Sequence, residues 1–175
     1  VRNAGGDVPT GEPALRAGTP SNAVQASLPA ALGIDRLPVS AKPTVAVFTT
    51  GDELVEPGIQ LQPGEIYNSN RELLMGLLRA DGLEPTAWPT LPDDPARIVA
   101  MLRDAASSFD LVISCGAVSA GEKDHIPALL QAHGSVHFWK VRMKPGMPLL
   151  AGQLDRAQFL GLPGNPVSVL ATYLA

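Results

Sequence analysis

The chain has 175 residues, a formal net charge of −4 and an apolar content of 45%. That length fits one ordinary domain with a short piece of a second, and that much apolar character excludes disorder of the whole. The mildly acidic balance excludes a nucleic-acid binder working through a broad basic face, and the single cysteine excludes a disulfide framework or a Cys-rich zinc site.

No apolar run reaches the roughly 20 residues that span a bilayer, and no secretory signal is visible. The expectation is a cytoplasmic protein with neither membrane nor nucleic acid among its partners. Residues 1–20 lack periodicity and read as an extended arm rich in Gly, Pro and Ala. A short helix follows, with Ser21 as N-cap, apolar residues at Val24, Leu28 and Leu32, and Gly33 at the C-cap; Pro29 weakens or splits it. Leu37–Val39 reads as a brief extended piece. Residues 1–43 are taken as a linker from a preceding domain, and 44–175 as the main domain, cut off within its last helix.

From Val45 the pattern becomes regular. Val45–Phe48 is a short apolar run of β-formers and reads as a buried strand. Residues 70–80 carry an amphipathic helical pattern with Asn70 as cap and Gly82 beyond its end. Residues 84–90 are extended, and 94–106 open with Asp and then Pro, as a helix start should. Residues 111–114 form a second buried strand, and a helix spans about 124–132. Strands follow near 136–142, 148–152 and 157–161, and a final helix starts at Asn165. Alternation of strand and helix predicts an α/β fold with three layers, helices on both faces of a mostly parallel sheet. Ligands of such sheets gather at the carboxyl ends of the strands.

Five loops there carry candidate chemistry. Thr50-Gly51-Asp52-Glu53-Leu54 follows the first strand; its acids either position Mg²⁺ or water, or form an ordinary acidic turn. Tyr67-Asn68-Ser69-Asn70 opens a helix, where its residues either cap the helix or leave free N–H groups for an anion. Residues 114–124 (SCGAVSAGEKD) join the second strand to a helix. Their small side chains let backbone N–H groups approach a phosphate, Ser119 adds a hydroxyl, and Asp124 stands near the helix start. Cys115, in an apolar run, reads as a buried and inert thiol. Strand alternation would put Lys140, Arg142 and Lys144 on one face, as charge protection of an edge strand or as an anion site. Gly161-Leu162-Pro163-Gly164-Asn165-Pro166-Val167-Ser168 is a rigid turn entering the last helix. Together these loops predict a domain that binds a phosphorylated or otherwise anionic small molecule with a divalent metal.

In this order, TGDEL at 50–54, IYNSN at 66–70, PDDP at 92–95, SCGAVSAGEKD at 114–124, FWKVRMKPG at 138–146 and GLPGNPVS at 161–168 resemble the molybdopterin molybdenumtransferase family, which includes bacterial MoeA and the E domain of animal gephyrin. The resemblance covers residues 44–175. It implies an enzyme that inserts molybdate into adenylylated molybdopterin and releases AMP with the help of Mg²⁺. By matching motif, Glu53, Asp94 and Asp124 would serve the metal and hydrolysis, and Lys140 and Lys144 would contact anionic groups. Thr50, Gly51, Asp52, Asn70, Gly116, Ser119 and Gly121 would bind the pterin nucleotide. Pro163, Gly164, Asn165, Pro166 and Ser168 would lie beside the molybdate. The resemblance further implies a homodimer in the full-length protein and contact with other molybdenum-cofactor proteins. It also leaves two alternatives, a related molybdopterin adenylyltransferase and a non-catalytic scaffold module. The chain departs from the family at Met147, where a lysine is usual, and at Ala117, where a second glycine is usual.

Overall fold

A computed structural model of the chain describes residues 8–118 and 125–175. The chain divides into two compact units, Val1–Ala41 and Lys42–Ala175. In the first unit the one helix among the described residues is α1, Ala23–Ala31. Its cap is Asn22 rather than the expected Ser21: the Asn22 carboxamide oxygen accepts from Val24 N at 2.9 Å and Gln25 N at 3.2 Å. Pro29 sits inside α1 without splitting it, and Gly33 follows the end of the helix with φ +77°. Leu37–Val39 forms no strand.

The second unit runs β1 (Val45–Thr49), β2 (Leu54–Val55), β3 (Ile66–Tyr67), α2 (Ser69–Ala80), β4 (Pro85–Ala87), α3 (Pro95–Ser108), β5 (Leu111–Cys115), α4 (Ile126–His133), β6 (Gly134–Trp139), β7 (Leu150–Leu154), β8 (Ala157–Leu162) and α5 (Pro166–Tyr173). Six strands form one sheet in the order β4-β1-β5-β8-β7-β6, and β2 pairs with β3 in a small separate ladder. β4, β1, β5 and β8 are mutually parallel; β7 runs antiparallel to both its neighbours, so β6 points the same way as the parallel set.

Alternation along the strands divides the core. Ala46, Phe48, Val112 and Phe159 face α3 and α4, meeting Ile98, Leu102, Ala105, Leu129 and Leu130. Val45, Val47, Ile113, Cys115 and Leu162 face the other way, against Leu74, Met75 and Leu78 of α2 and Val169 of α5. The expected three-layer architecture is therefore present. Full burial of β1 on both faces explains its unbroken apolar sequence.

Topology then places the loops. From β1 the chain crosses through α2 to β4 on one side, then returns through α3 to β5 on the other. The ends of β1 and β5 therefore flank a switch point, where an open α/β sheet leaves a crevice. Because β6 is aligned with the parallel set, the hairpin between β6 and β7 emerges at this same end.

Candidate functional site

The loop after β1 is pinned from three sides. Thr50 N and Oγ1 both donate to the Cys115 carbonyl, at 3.0 and 3.2 Å. Gly51 N donates to Leu91 O, and Asp93 N donates to the Asp52 carboxylate at 3.3 Å. Glu53 folds back over Gly51, whose φ is +135°; a methyl group there would lie 2.5 Å from the Glu53 carboxylate, so this turn needs glycine. Gly116, with φ +99°, is constrained in the same way by the Thr50 hydroxyl.

Beneath this loop lies a closed hydrogen-bonded ring. Asn68, 1% exposed, donates from Nδ2 to Thr49 Oγ1 at 2.8 Å and to Glu56 Oε1 at 3.3 Å. Arg71 pairs with Glu56 through Nη1 and donates from Nη2 to Thr90 Oγ1 at 3.1 Å and Trp88 O at 3.2 Å. Thr90 and Thr49 close the ring at 3.5 Å. Thr49 and Glu56 bracket the segment that carries Thr50, Asp52 and Glu53, so the ring holds both ends of it. Sequence reasoning missed Arg71. Its signal was a cation in the first turn of a helix, where the macrodipole disfavours positive charge.

A cavity of about 110 Å³ opens above, lined by Thr50, Glu53, Asn70, Cys115, Gly164 and Pro166 among others. This volume takes a phosphate-sized group rather than a whole nucleotide, since ligand pockets for larger molecules run to about 300 Å³ or more. Asn70 is not the helix cap. Asn68 takes that role, accepting from Arg71 N, and this frees Asn70 to donate to Gly164 O at 2.7 Å. Among the described residues its own carboxamide oxygen is buried without a partner, as is the Ser114 hydroxyl. The Cys115 thiol donates to Pro163 O at 3.1 Å, and burial pushes its pKa up to about 12, against a smaller opposing effect from the Asn70 side chain. It is a packed thiol, not a nucleophile. A wider depression of about 460 Å³, lined by Arg103, Ser107, Asp155 and Arg156, lies at the amino ends of the parallel strands. Its charges are already engaged: Arg103 pairs with Asp155 at 3.1 Å, and Arg156 donates to Ser107 O. The smaller cavity is the candidate site.

The helix starts differ in what they can offer an anion. Asp94 caps α3, accepting from Ala96 N at 2.9 Å and Arg97 N at 3.4 Å. Asn165 caps α5 in the same way through Val167 N and Ser168 N, with Pro166 in the first turn and Ser168 only 8% exposed. α4 begins at Ile126 after His125, with no side-chain cap hydrogen bond. Its N-terminus follows the 114–124 loop, whose Ser119, Gly121 and Asp124 lie outside the described residues.

The lysines are not arranged as expected. β6 ends at Trp139, so Lys140, Arg142 and Lys144 lie on a loop rather than on one face of a strand. Lys140 adopts φ +69°, which breaks the extended path, and the Lys144–Pro145 peptide bond is cis. Val141 N donates to Met147 O at 2.8 Å, closing a turn that leaves Met147 56% exposed. Lys140, Arg142 and Lys144 are exposed and form no ion pair among the described residues. The Lys140 ammonium lies 4.5 Å from the Trp139 ring centroid, and the Trp139 indole donates to Val118 O at 2.8 Å.

No group of three His, Cys, Asp or Glu side chains converges on a metal position among the described residues. What is present fits a different mode, in which Mg²⁺ takes one or two carboxylates and completes its shell with substrate phosphates and water. Glu53, which lines the cavity, could offer one such carboxylate, while the carboxylate of Asp94 caps α3.

The α/β sheet thus has a crevice at its switch point, with glycine turns and a phosphate-sized cavity there, while the exposed cations Lys140, Arg142 and Lys144 follow the edge strand β6 at the same end of the sheet. Residues 46–174 match the family described as "Probable molybdopterin binding domain", and the chain belongs to that family. It is similar to a molybdopterin molybdenumtransferase of Haemophilus influenzae, 43% identical over 99% of this chain and 43% of that protein. The molybdenum cofactor synthesis protein cinnamon of Drosophila melanogaster is 38% identical over 99% of this chain and 29% of its own length. A solved MoeA protein from Pyrococcus horikoshii superposes with a TM-score of 0.71 at 32% identity, covering 86% of this chain and 37% of that one. A MoaB structure from Thermus thermophilus, at 21% identity and a TM-score of 0.56, shares the fold. The chain thus spans less than half the length of these molybdenumtransferase relatives.

Proposed function

We propose that this chain is the pterin-nucleotide-binding domain of a molybdenum-cofactor biosynthesis enzyme, a transferase that inserts molybdate into adenylylated molybdopterin and releases AMP. The observation that carries this reading is the gathering, at one end of one sheet, of the Glu53 cavity, the Gly116 turn and Lys140 and Lys144, which form no ion pair among the described residues. Release of AMP breaks a phosphoanhydride, and negative charge builds on the departing phosphate. Lys140 and Lys144 meet that charge as point cations, and the backbone N–H groups at the start of α4, which has no side-chain cap hydrogen bond among the described residues, add donors. Asn70 lines the cavity, and its carboxamide oxygen, without a partner among the described residues, accepts from a ligand N–H or O–H. Glu53 would hold Mg²⁺, with Asp94 and Asp124 as further candidates, and the bound ion would neutralise phosphate charge. Molybdate, as substrate, sits beside the Pro163–Ser168 turn.

The relatives' greater length supports a second part of the reading: the domain works within a larger protein, and the chain by itself inserts little or no metal. The family resemblance adds that this larger protein is a cytoplasmic homodimer. Exposed Met147, where the family usually has lysine, favours one rival, a binding module that no longer transfers. Product analysis on the full-length protein separates the readings. The transferase consumes adenylylated molybdopterin and releases AMP when molybdate is present. An adenylyltransferase would instead produce the adenylylated pterin, and a scaffold would bind it with no AMP released.

A further inference from the structure

Trp139, the last residue of β6, is partly buried against the core face that α3 and α4 cover. Its indole N–H reaches the Val118 carbonyl at 2.8 Å, tying the end of β6 to the loop that leaves β5. That anchor is firm: Val118 is 1% exposed, and its side chain lies against Gly161 of β8, where no larger residue would fit. The ring face holds the Lys140 ammonium at 4.5 Å. Lys140 is held at its backbone as well, by φ +69° and by donation of its N–H to Leu149 O at 2.9 Å. A solvent-exposed lysine ordinarily keeps its rotamer freedom. Here backbone and ammonium are both fixed while no carboxylate among the described residues pairs with the charge. Strained backbone of this kind collects where a ligand must be met in one geometry.

We propose that Trp139 is a positioning residue that acts through Lys140, setting its ammonium beside the Gly116–Val118 turn before the anionic part of the ligand arrives. This rests on the reading of Lys140 as an anion contact. An ammonium carries three N–H donors, so Lys140 keeps its contact with the ring face while it meets the incoming anion. The lysine's ordering is completed beforehand, which raises affinity without a new ligand contact.

The test uses the whole chain with Trp139→Leu, Trp139→Phe and Lys140→Met, singly and with Trp139→Leu and Lys140→Met combined, each checked for folding by circular dichroism. Without ligand, tryptophan emission differs between wild type and Lys140→Met; identical spectra overturn the proposal. For adenylylated molybdopterin, Trp139→Leu weakens affinity about three- to tenfold, and Trp139→Phe, which keeps an aromatic face, recovers part of the loss. In the Lys140→Met background the same Trp139→Leu change costs less than about twofold, because the residue it serves is already gone. Full additivity overturns the proposal and leaves Trp139 a packing residue, with the functional reading intact. Absence of nucleotide binding by the folded wild type overturns both. If Trp139→Leu fails to fold, Trp139→Phe decides through the same cycle.

Discussion

Arg71 braces the loop that follows β1, and replacing it gives a measurable loss. Replacing it with Met keeps the stem and removes the guanidinium. The pair with Glu56 is lost; with 46% of the Glu56 side chain exposed, solvent screening limits its worth to about 1 kcal/mol. The two Nη2 hydrogen bonds, to Trp88 O and Thr90 Oγ1, go with it at about 1 kcal/mol each. Against this, the buried Nε–H that has no partner disappears, which returns about 1 kcal/mol. The net expectation is a destabilisation of about 2 kcal/mol, or a fall in Tm of roughly 4–8 °C for a chain of this size. Urea unfolding followed by circular dichroism should show the midpoint falling with an unchanged slope. Combined with Glu56→Gln, the loss should be clearly less than the sum of the two single losses. Amide exchange between Thr50 and Val55 should also quicken, because the ring holds both ends of that segment. A change below about 0.5 kcal/mol, or full additivity with Glu56→Gln, would refute the idea that this ring braces the loop.

Two further outcomes follow from backbone and burial. Ala117 adopts φ +55°, a left-handed conformation that favours glycine, so Ala117→Gly should raise stability by about 1 kcal/mol, read as a higher urea midpoint. Cys115 and Tyr173 both have folded pKa values of about 12, above their ordinary 9.0 and 10.0, chiefly because of burial, with the Asp81 hydrogen bond and charge also acting on Tyr173. A raised folded pKa means that the stabilising contribution is complete below about pH 9 and is lost as pH rises toward 12. The urea midpoint should fall across that window, less steeply in Cys115→Ala, and the thiol of the folded chain should resist labelling at pH 8. Rapid stoichiometric labelling under native conditions would contradict the burial of Cys115.

Much of the framework was legible in local pattern. Unbroken apolar runs marked β1 and β5, and Asp94-Pro95 marked the start of α3, because burial on two faces and capping are written in neighbouring residues. Where several cap-formers stood together the assignment slipped by a residue or two. Asn22 rather than Ser21 caps α1, and Asn68 rather than Asn70 caps α2. The second slip matters, since it releases Asn70 into the cavity wall. The lysine loop was misplaced because Lys140 takes a left-handed backbone, which side-chain alternation does not reveal. The antiparallel β7 had a signal in the two-residue Asp155–Arg156 spacing before β8, the mark of a tight hairpin. The Arg71 ring and the Trp139 bridge had almost none. They join residues 12 to 41 positions apart, and only the folded chain brings them together.

In the proposed function the domain holds the pterin nucleotide at the carboxyl end of its sheet. Calorimetric titration of the folded chain with adenylylated molybdopterin, run beside Lys144→Ala, tests it most directly. Saturable binding that weakens clearly in Lys144→Ala is the expected result. No heat of binding from a chain whose circular dichroism shows the α/β fold, or equal affinity in the variant, would contradict the placement of the ligand among these loops.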